Sequence, residues 1–293
     1  MNFCLQMNVS NTPPNGEGGG KSSEVVLNYE MEVDGVKKKI EITSSFKSFV
    51  ATASDYVKNV LRSKRAEAPR RRPCIIGVVG GAGCGKSTFC EIMTRELNAT
   101  QTPSVTIGMD AYHYRNEYLE SHYINSDSKQ TLKSIKGALE TIDAKSIRND
   151  LSRFCVGQEK VEAPAALEGN ADGGVFLFPA YDRNLHNPVP GRVKVDIAQH
   201  QIVFFEGLHL LANDARGDWA ALRNLFDGLI VLKVPIEECK RRVIARKVLG
   251  GRSEADALAH WNRSDLKIHE NIKDQVIIVL KSAAKGSILL YDG

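Results

Sequence analysis

A strand-length apolar run, "CIIGVV" (74–79), feeds directly into "GGAGCGKST" (80–88). That stretch leads into a segment whose apolar residues Phe89, Ile92, Met93 and Leu97 share one helical face. Few folds accept this order. A short apolar run without polar alternation reads as a strand buried on both faces. Four glycines, Gly80, Gly81, Gly83 and Gly85, are entropically costly unless the turn they make is required. Similar runs recur downstream at "SVTIGMD" (104–110), "GVFLFP" (174–179), "IVFFEG" (202–207), "GLIVLKV" (228–234) and "SILLY" (287–291). Helical patterns lie between them. Buried strands alternating with helices form a mainly parallel sheet covered on both sides. The expected fold over residues 73–293 is α/β, a three-layer sandwich.

Upstream, residues 1–24 are rich in Asn, Gly, Ser and Pro and read as a disordered tail. "VVLNYEMEV" and "VKKKIEI" flank Asp34-Gly35, which is a hairpin signal. Phe46, Phe49, Val50, Ala53, Val57, Val60 and Leu61 then repeat at helical spacing. Residues 25–72 therefore read as an accessory hairpin, helix and basic linker docked on the main domain. The linker holds six basic residues between Arg62 and Arg72, read as a solvated helix end or as a phosphate-binding or nuclear-import patch.

Within the main domain, residues 128–154 read as a long polar helical region. "GQEKVEAPAALEGNADGG" (157–174) reads as an inserted mobile loop. Asp218 is placed to cap the helix "WAALRNLF". Pro235 is placed at the first position of "IEECKRRVIARKVL", which Gly250-Gly251 ends. Ser253 and Asp256 form a capping-box pattern for a further helix.

Composition narrows the function classes. A net charge of +4 suits anionic small molecules and does not demand nucleic acid. No basic patch interleaved with aromatics supports nucleic-acid binding. Cys4, Cys74, Cys84, Cys90, Cys155 and Cys239 show no paired metal spacing and read as reduced thiols of a cytoplasmic protein. The longest apolar runs are strand-length, and the start lacks the pattern of a secretory signal, so no membrane partner is expected. The sequence is silent on oligomeric state, homodimer included.

Gly80-x-x-x-x-Gly85-Lys86-Ser87 fits a phosphate-binding loop, with a buried strand before it and an amphipathic helix after it. The expected architecture is thus that of a P-loop NTPase. Backbone N–H groups of Gly80, Gly81, Ala82, Gly83, Cys84, Gly85, Lys86, Ser87 and Thr88 would surround the phosphates of ATP, aided by the helix N-terminus. Lys86 would reach the β- and γ-phosphates and Ser87 would ligate Mg²⁺. The dinucleotide fingerprint fails, because Lys86 stands where its last glycine or alanine belongs. No Asn-Lys-x-Asp segment reads guanine. Cys84 is either a filler whose N–H does the binding or an oxidation-sensitive point.

Five further blocks follow in order: "MDAYHY" (109–114), "KGALETID" (136–143), "PAYDRNLHNPVPG" (179–191), "FFEGLHLL" (204–211) and "RRVIARKVLGGRS" (241–253). Together they resemble the phosphoribulokinase/uridine kinase family, on the branch of bacterial pantothenate kinase and kinases of fructose-transport type. The resemblance covers about residues 74–292. It implies an ATP- and Mg²⁺-dependent kinase acting on a hydroxyl of a nucleoside, pantothenate or sugar-like small molecule.

Asp110, at a strand's carboxyl end where open α/β sheets place ligands, can orient or deprotonate that hydroxyl, the role the resemblance implies, and can help hold Mg²⁺. A helix cap is the other reading of Asp110. Glu206 ends "IVFFE" and would act through the metal's water shell, or else be a surface acid. Tyr112, His113 and Lys136 are acceptor-side candidates, against a structural histidine and an exposed lysine. Tyr181, Arg183 and His186 lie in a proline-stiffened loop, where Asp182 and Arg183 otherwise merely pair. Arg242 and Arg246 share a helix face in a lid over about 241–263, with Arg246 read as catalytic alongside Lys86 and Asp110, or else the helix is a solvated basic surface. Trp261 is packing or an adenine platform. The rival reading is a nucleotide-binding regulatory protein that has lost acceptor chemistry.

Overall fold

The computed structural model describes residues 5–6, 27–33, 36–67, 72–125, 129–154, 174–213, 217–272 and 287–292. The N-terminal elements are strands β1 (Leu5–Gln6), β2 (Leu27–Val33) and β3 (Val36–Ile42), then helix α1 (Ser44–Glu67). Next come β4 (Cys74–Val79), α2 (Lys86–Ala99), β5 (Ser104–Gly108), α3 (Asn116–Ser121) and α4 (Ala144–Ser152). The second half holds β6 (Val175–Asp182), β7 (Asn187–Asp196), β8 (Ile202–Gly207), α5 (Asp218–Arg223) and β9 (Gly228–Lys233). It ends with α6 (Ile236–Leu249), α7 (Glu254–His260) and β10 (Ser287–Asp292).

Among the described residues six strands form one sheet in the order β1-β10-β9-β4-β8-β5, and every pairing in it is parallel. Alternation along each strand explains its two layers. Ile75 and Val79 of β4 join Val203, Phe205 and Val231 on one face, under α4 and α5. Ile76 and Val78 join Phe204, Ile230 and Leu232 on the other, under α1 and α2. Both faces are buried, so neither carries the polar alternation of a one-sided sheet. Leu5–Gln6, within the stretch read as a disordered tail, pairs with β10 at the sheet edge. The rest of residues 1–24, the 157–173 stretch and the Asp34-Gly35 turn lie outside the described residues.

Helix α1 is a layer of this core. Ala53 and Val57 are fully buried, and the Tyr56 hydroxyl donates to the Leu229 carbonyl (3.3 Å) and accepts from the Leu229 N–H (3.1 Å). Arg72, at the end of the basic linker, makes a two-pronged pair with Asp227 at 2.7 and 2.8 Å. The Asp227 carboxylate also accepts from the Ile75 N–H (2.9 Å). Arg72, though partly exposed, therefore tethers the start of β4.

Several sequence expectations are corrected. The 128–154 region is not one helix: two 3₁₀ turns (Leu132–Ile135 and Leu139–Thr141) precede the short α4. Gly137, at φ 105°, breaks the helical path, and Thr141 Oγ1 accepts from its N–H (3.0 Å). "GVFLFP" and "PAYDRNLHNPVPG" are neither a strand of the main sheet nor a loop. They form the antiparallel ribbon β6–β7, whose turn is held by Asp182 Oδ1 accepting from the Asn184 and Leu185 N–H groups. Prolines fit a two-stranded ribbon, because each strand has a free edge. Asp218 does not cap α5. Gly217 occupies the cap position, and Asp218 pairs with Arg148 (3.0 Å). Pro235 sits one place earlier than expected, in the cap position of α6. Ser253 Oγ does cap α7, accepting from the Asp256 N–H (3.1 Å). Among the described residues no helix is long and apolar enough to cross a membrane.

Candidate active site

The sheet order brings three carboxyl ends side by side. β4 lies next to β8, and β8 next to β5, in register Val78↔Glu206↔Gly108. The loop after β4, the Glu206 side chain and the turn carrying Asp110 therefore meet at one edge of the sheet.

The 80–88 loop wraps from β4 into α2. Gly85 occupies the cap position at φ 93°, a left-handed conformation that disfavours any residue with a Cβ. The first turn of α2 has neither an acidic residue nor a side-chain cap. Its leading N–H groups thus have no side-chain acceptor, which is the arrangement that receives an anion. The Lys86 ammonium lies back across the loop, donating to the carbonyls of Gly80 (2.9 Å) and Gly81 (3.1 Å). Cys84 is buried, its N–H donates to the Gly81 carbonyl (3.3 Å), and burial pushes its thiol pKa up. That removes the reading of Cys84 as an easily oxidised thiolate.

Ser87 Oγ donates to Glu206 Oε1 at 2.7 Å, joining the two expected metal-side groups directly. Burial raises the Glu206 pKa, with Lys86 and Ser87 opposing it. A desolvated carboxylate paired with a hydroxyl calls for a cation. The donors are all oxygen, and no cluster of three or more His, Cys, Asp or Glu exists among the described residues. This set fits Mg²⁺ held by one or two protein oxygens, water and phosphate.

Strand β5 stops at Gly108, so Asp110 stands on a 3₁₀ turn (Met109–Tyr112) rather than at the strand end. Gly108 is the cap of that turn and no side chain caps it, which removes the helix-cap reading of Asp110. The Asp110 side chain is 44% exposed. Its charge is felt at His113, Lys136, Tyr181, Glu206 and His209, and its Oδ1 lies 4.0 Å from His113 Nδ1. His113 is buried, and its Nδ1 bonds the Asp110 carbonyl (2.9 Å). Burial lowers the imidazole pKa, so His113 braces the turn as a neutral ring. Tyr112 is a correction. Its ring is buried against Phe205, and its hydroxyl donates to Asp150 of α4 (2.9 Å), away from the acceptor side.

Lys136 links the other candidates. It donates to Asn116 Oδ1 (2.8 Å) and to the His186 carbonyl (2.6 Å), and lies 5.2 Å from the centre of the Tyr181 ring. Burial, then repulsion from Lys133, brings its pKa down to about 8, against the pull of Asp110. Tyr181 in turn lies 5.6 Å from His113. His186, at φ 49°, contributes its backbone to this contact, and its side chain is exposed. Arg183, exposed at the ribbon turn, projects its charge onto His113, Tyr181 and Glu206.

On the α6 side, Arg242 donates from Nε to Glu238 (2.7 Å) and reaches the Gly83 carbonyl (3.4 Å). Arg241 holds the same Glu238 through two 2.7 Å bonds and points outward. Arg246 is exposed, with no side-chain hydrogen bond or ion pair among the described residues. Trp261 is buried and packs on His269 (5.2 Å), which favours packing over an adenine platform.

Three residues of this region escaped the sequence reading: Asn116, His209 and His269. His269 Nε2 donates to the Ala82 carbonyl (2.8 Å), and its imidazole fills the space a Cβ at Gly81 would need. His209 Nε2 donates to the Gly137 carbonyl (2.9 Å). Both sit in ordinary helical or apolar context, and only the tertiary fold reveals their partners.

Residues 75–277 match the Phosphoribulokinase / Uridine kinase family. The chain is 28% identical over 211 residues to the uncharacterized protein YggC of Escherichia coli (strain K12), covering 71% of this chain and 75% of that one. It is 25% identical over 295 residues to a pantothenate kinase of Coxiella burnetii (strain Dugway 5J108-111), covering 89% and 85%. A solved structure from Silicibacter sp. TM1040, provisionally named a fructose transport system kinase, superposes with a TM-score of 0.61. It has 23% identity and covers 77% of this chain and 94% of that one. At that identity the likeness speaks for the fold alone. The matched span exceeds half the chain and contains the whole meeting point of β4, β8 and β5, so this protein belongs to the phosphoribulokinase/uridine kinase family of P-loop kinases.

Proposed function

We propose that the protein transfers the γ-phosphoryl group of ATP to a hydroxyl of a small molecule. One observation carries the reading: Lys86, the Ser87–Glu206 pair and Asp110 converge from three adjacent parallel strands. The 80–88 loop binds the phosphates, with Lys86 leaving its carbonyl contacts to meet them. Ser87 and Glu206, with help from Asp110, would hold Mg²⁺, which would supply charge to neutralise the phosphates. Asp110 orients the acceptor hydroxyl and takes its proton as the new O–P bond forms and the bond to the β–γ bridging oxygen breaks. ADP and the phosphorylated acceptor result. Arg242 and Arg246 bring positive charge to the transferring group as α6 closes. His113, Tyr181, Lys136, Arg183 and His186 border the acceptor. Such a reaction needs mainly positioning and charge neutralisation.

The test is acceptor-dependent ADP release from Mg-ATP across nucleosides, pantothenate, sugars and glycerate. Nucleotide binding without turnover on any acceptor would reject the kinase reading and favour a regulatory protein.

A further inference from the structure

Four successive carbonyls of the phosphate loop are engaged by side chains. Lys86 donates to those of Gly80 (2.9 Å) and Gly81 (3.1 Å), His269 to that of Ala82 (2.8 Å) and Arg242 to that of Gly83 (3.4 Å). The proposed reaction draws Lys86 and Arg242 away toward the phosphates. His269 differs from both. Burial lowers its imidazole pKa against the pull of the Ala82 carbonyl, and the nearby Lys86 charge adds to the lowering. The ring is therefore neutral and donates through Nε2. It has no charge to bring to a phosphate, so it can keep its carbonyl throughout turnover. Two contacts fix the ring. It fills the place of a side chain at Gly81, so a residue with a Cβ there would bar it from Ala82. Trp261, buried in one cluster with Cys84, Phe89 and Val243, packs on it at 5.2 Å. A trans peptide points its C=O and N–H in opposite directions. Holding the Ala82 carbonyl thus turns the Gly83 N–H away from His269. Gly83, at φ 81°, has no protein acceptor for that N–H among the described residues.

We propose that His269 is a positioning residue of the nucleotide side, locking the Ala82–Gly83 peptide with its N–H aimed at a phosphate oxygen of the bound nucleotide. The helical stretch 261–272 is thereby part of the phosphate cradle, although it lies far beyond the glycine-rich loop in sequence. An N–H held in place before the phosphate arrives spares the cost of ordering it on binding. The inference deepens the kinase reading and rests on its nucleotide site, but on no particular acceptor.

Three substitutions separate positioning from packing. His269→Leu and His269→Phe keep apolar bulk beside Trp261 and lose the donor. His269→Gln gives up the ring and keeps an N–H donor. Mg-ATP and Mg-ADP binding is measured by calorimetry, the KM values by acceptor-dependent ADP release, and folding by thermal unfolding. The leucine and phenylalanine variants should each bind both nucleotides about five- to tenfold more weakly, the loss of one hydrogen bond. The KM for ATP should rise to match, with the KM for the acceptor unchanged, and His269→Gln should recover most of the affinity. If one apolar variant does not fold, the other carries the same test. Wild-type nucleotide affinity in the folded apolar variants would overturn the proposal. So would a loss that the glutamine variant shares in full, the mark of ring packing alone, or a wild-type protein that binds neither nucleotide. Nucleotide binding that follows the expected pattern without turnover on any acceptor would count against the kinase reading and leave the role of His269 standing. Turnover with nucleotide affinity untouched by the apolar substitutions would do the reverse.

Discussion

The proposed nucleotide half and the proposed acceptor half of the site are built differently. The nucleotide half is nearly continuous in sequence: β4, the 80–88 loop and the first turn of α2, closed by long-range hydrogen bonds from Ser87 to Glu206, from Arg242 to the Gly83 carbonyl and from His269 to the Ala82 carbonyl. The acceptor half is assembled from distant pieces. The Asp110 turn, Asn116, Lys136, Tyr181 and the His186 carbonyl come from four stretches held together by side chains. A regular strand–loop–helix gives the first half a fixed shape from local backbone rules. The second half depends on tertiary contacts, so it can change acceptor without disturbing the nucleotide cradle.

That contrast has a hierarchy of consequences. Lys86→Ala should have the largest effect, lowering kcat/KM by about 10³-fold by analogy with the loss of a charged transition-state contact. Steady-state ADP release measures it, and unchanged turnover would place catalysis elsewhere. Asp110→Asn should divide the halves, slowing acceptor phosphorylation by about 10²–10⁴-fold with ATP affinity retained in calorimetry. Equal loss of both would make Asp110 a metal or folding residue.

Arg72→Ala should act on neither half. It leaves the buried Asp227 carboxylate without its two-pronged partner and should cost about 2–3 kcal/mol of stability. Thermal unfolding reads that loss, and a kcat that also collapsed would show that the tether governs the site.

The smallest effect concerns pH. Lys136, with a pKa of about 8, loses charge at a pH where an ordinary lysine keeps it. The KM for an acceptor should rise as pH passes through about 8, and Lys136→Gln should flatten that profile. The sign for folding is opposite. The unfolded chain holds this proton more tightly, so the residue opposes folding fully below about pH 8. That penalty eases as pH climbs from there toward the usual lysine value.

Legibility in the sequence follows the same division. The phosphate loop was readable because strand, glycines and helix are contiguous, and Glu206 because an acid closing a buried strand must sit at the sheet edge. Asp110 follows a strand in the sequence, and in the fold a 3₁₀ turn just beyond that strand carries it. Tyr112 misled because adjacency to Asp110 does not fix direction: the turn sends its ring toward Asp150. The 128–154 stretch has helical composition, but Gly137 and Thr141 redirect the chain. The proline-rich block looked like a loop because prolines oppose central strands, a rule that an isolated ribbon escapes. Asn116, His209 and His269 had no local signal, since each acts through a partner far away in sequence.

The Tyr56–Leu229 tie spans 173 residues. During synthesis at about 5–20 residues per second, α1 would wait roughly 10–30 s for β9 to be made. The apolar face that α1 buries in the finished molecule is then without its β9 partner, and the central strand β4 emerges before either of its neighbours, β8 and β9. The nascent chain therefore carries its most recognisable element, the phosphate loop, long before that element has a sheet to stand on. Chaperone demand during translation should track this interval more closely than it tracks the stability of the completed fold.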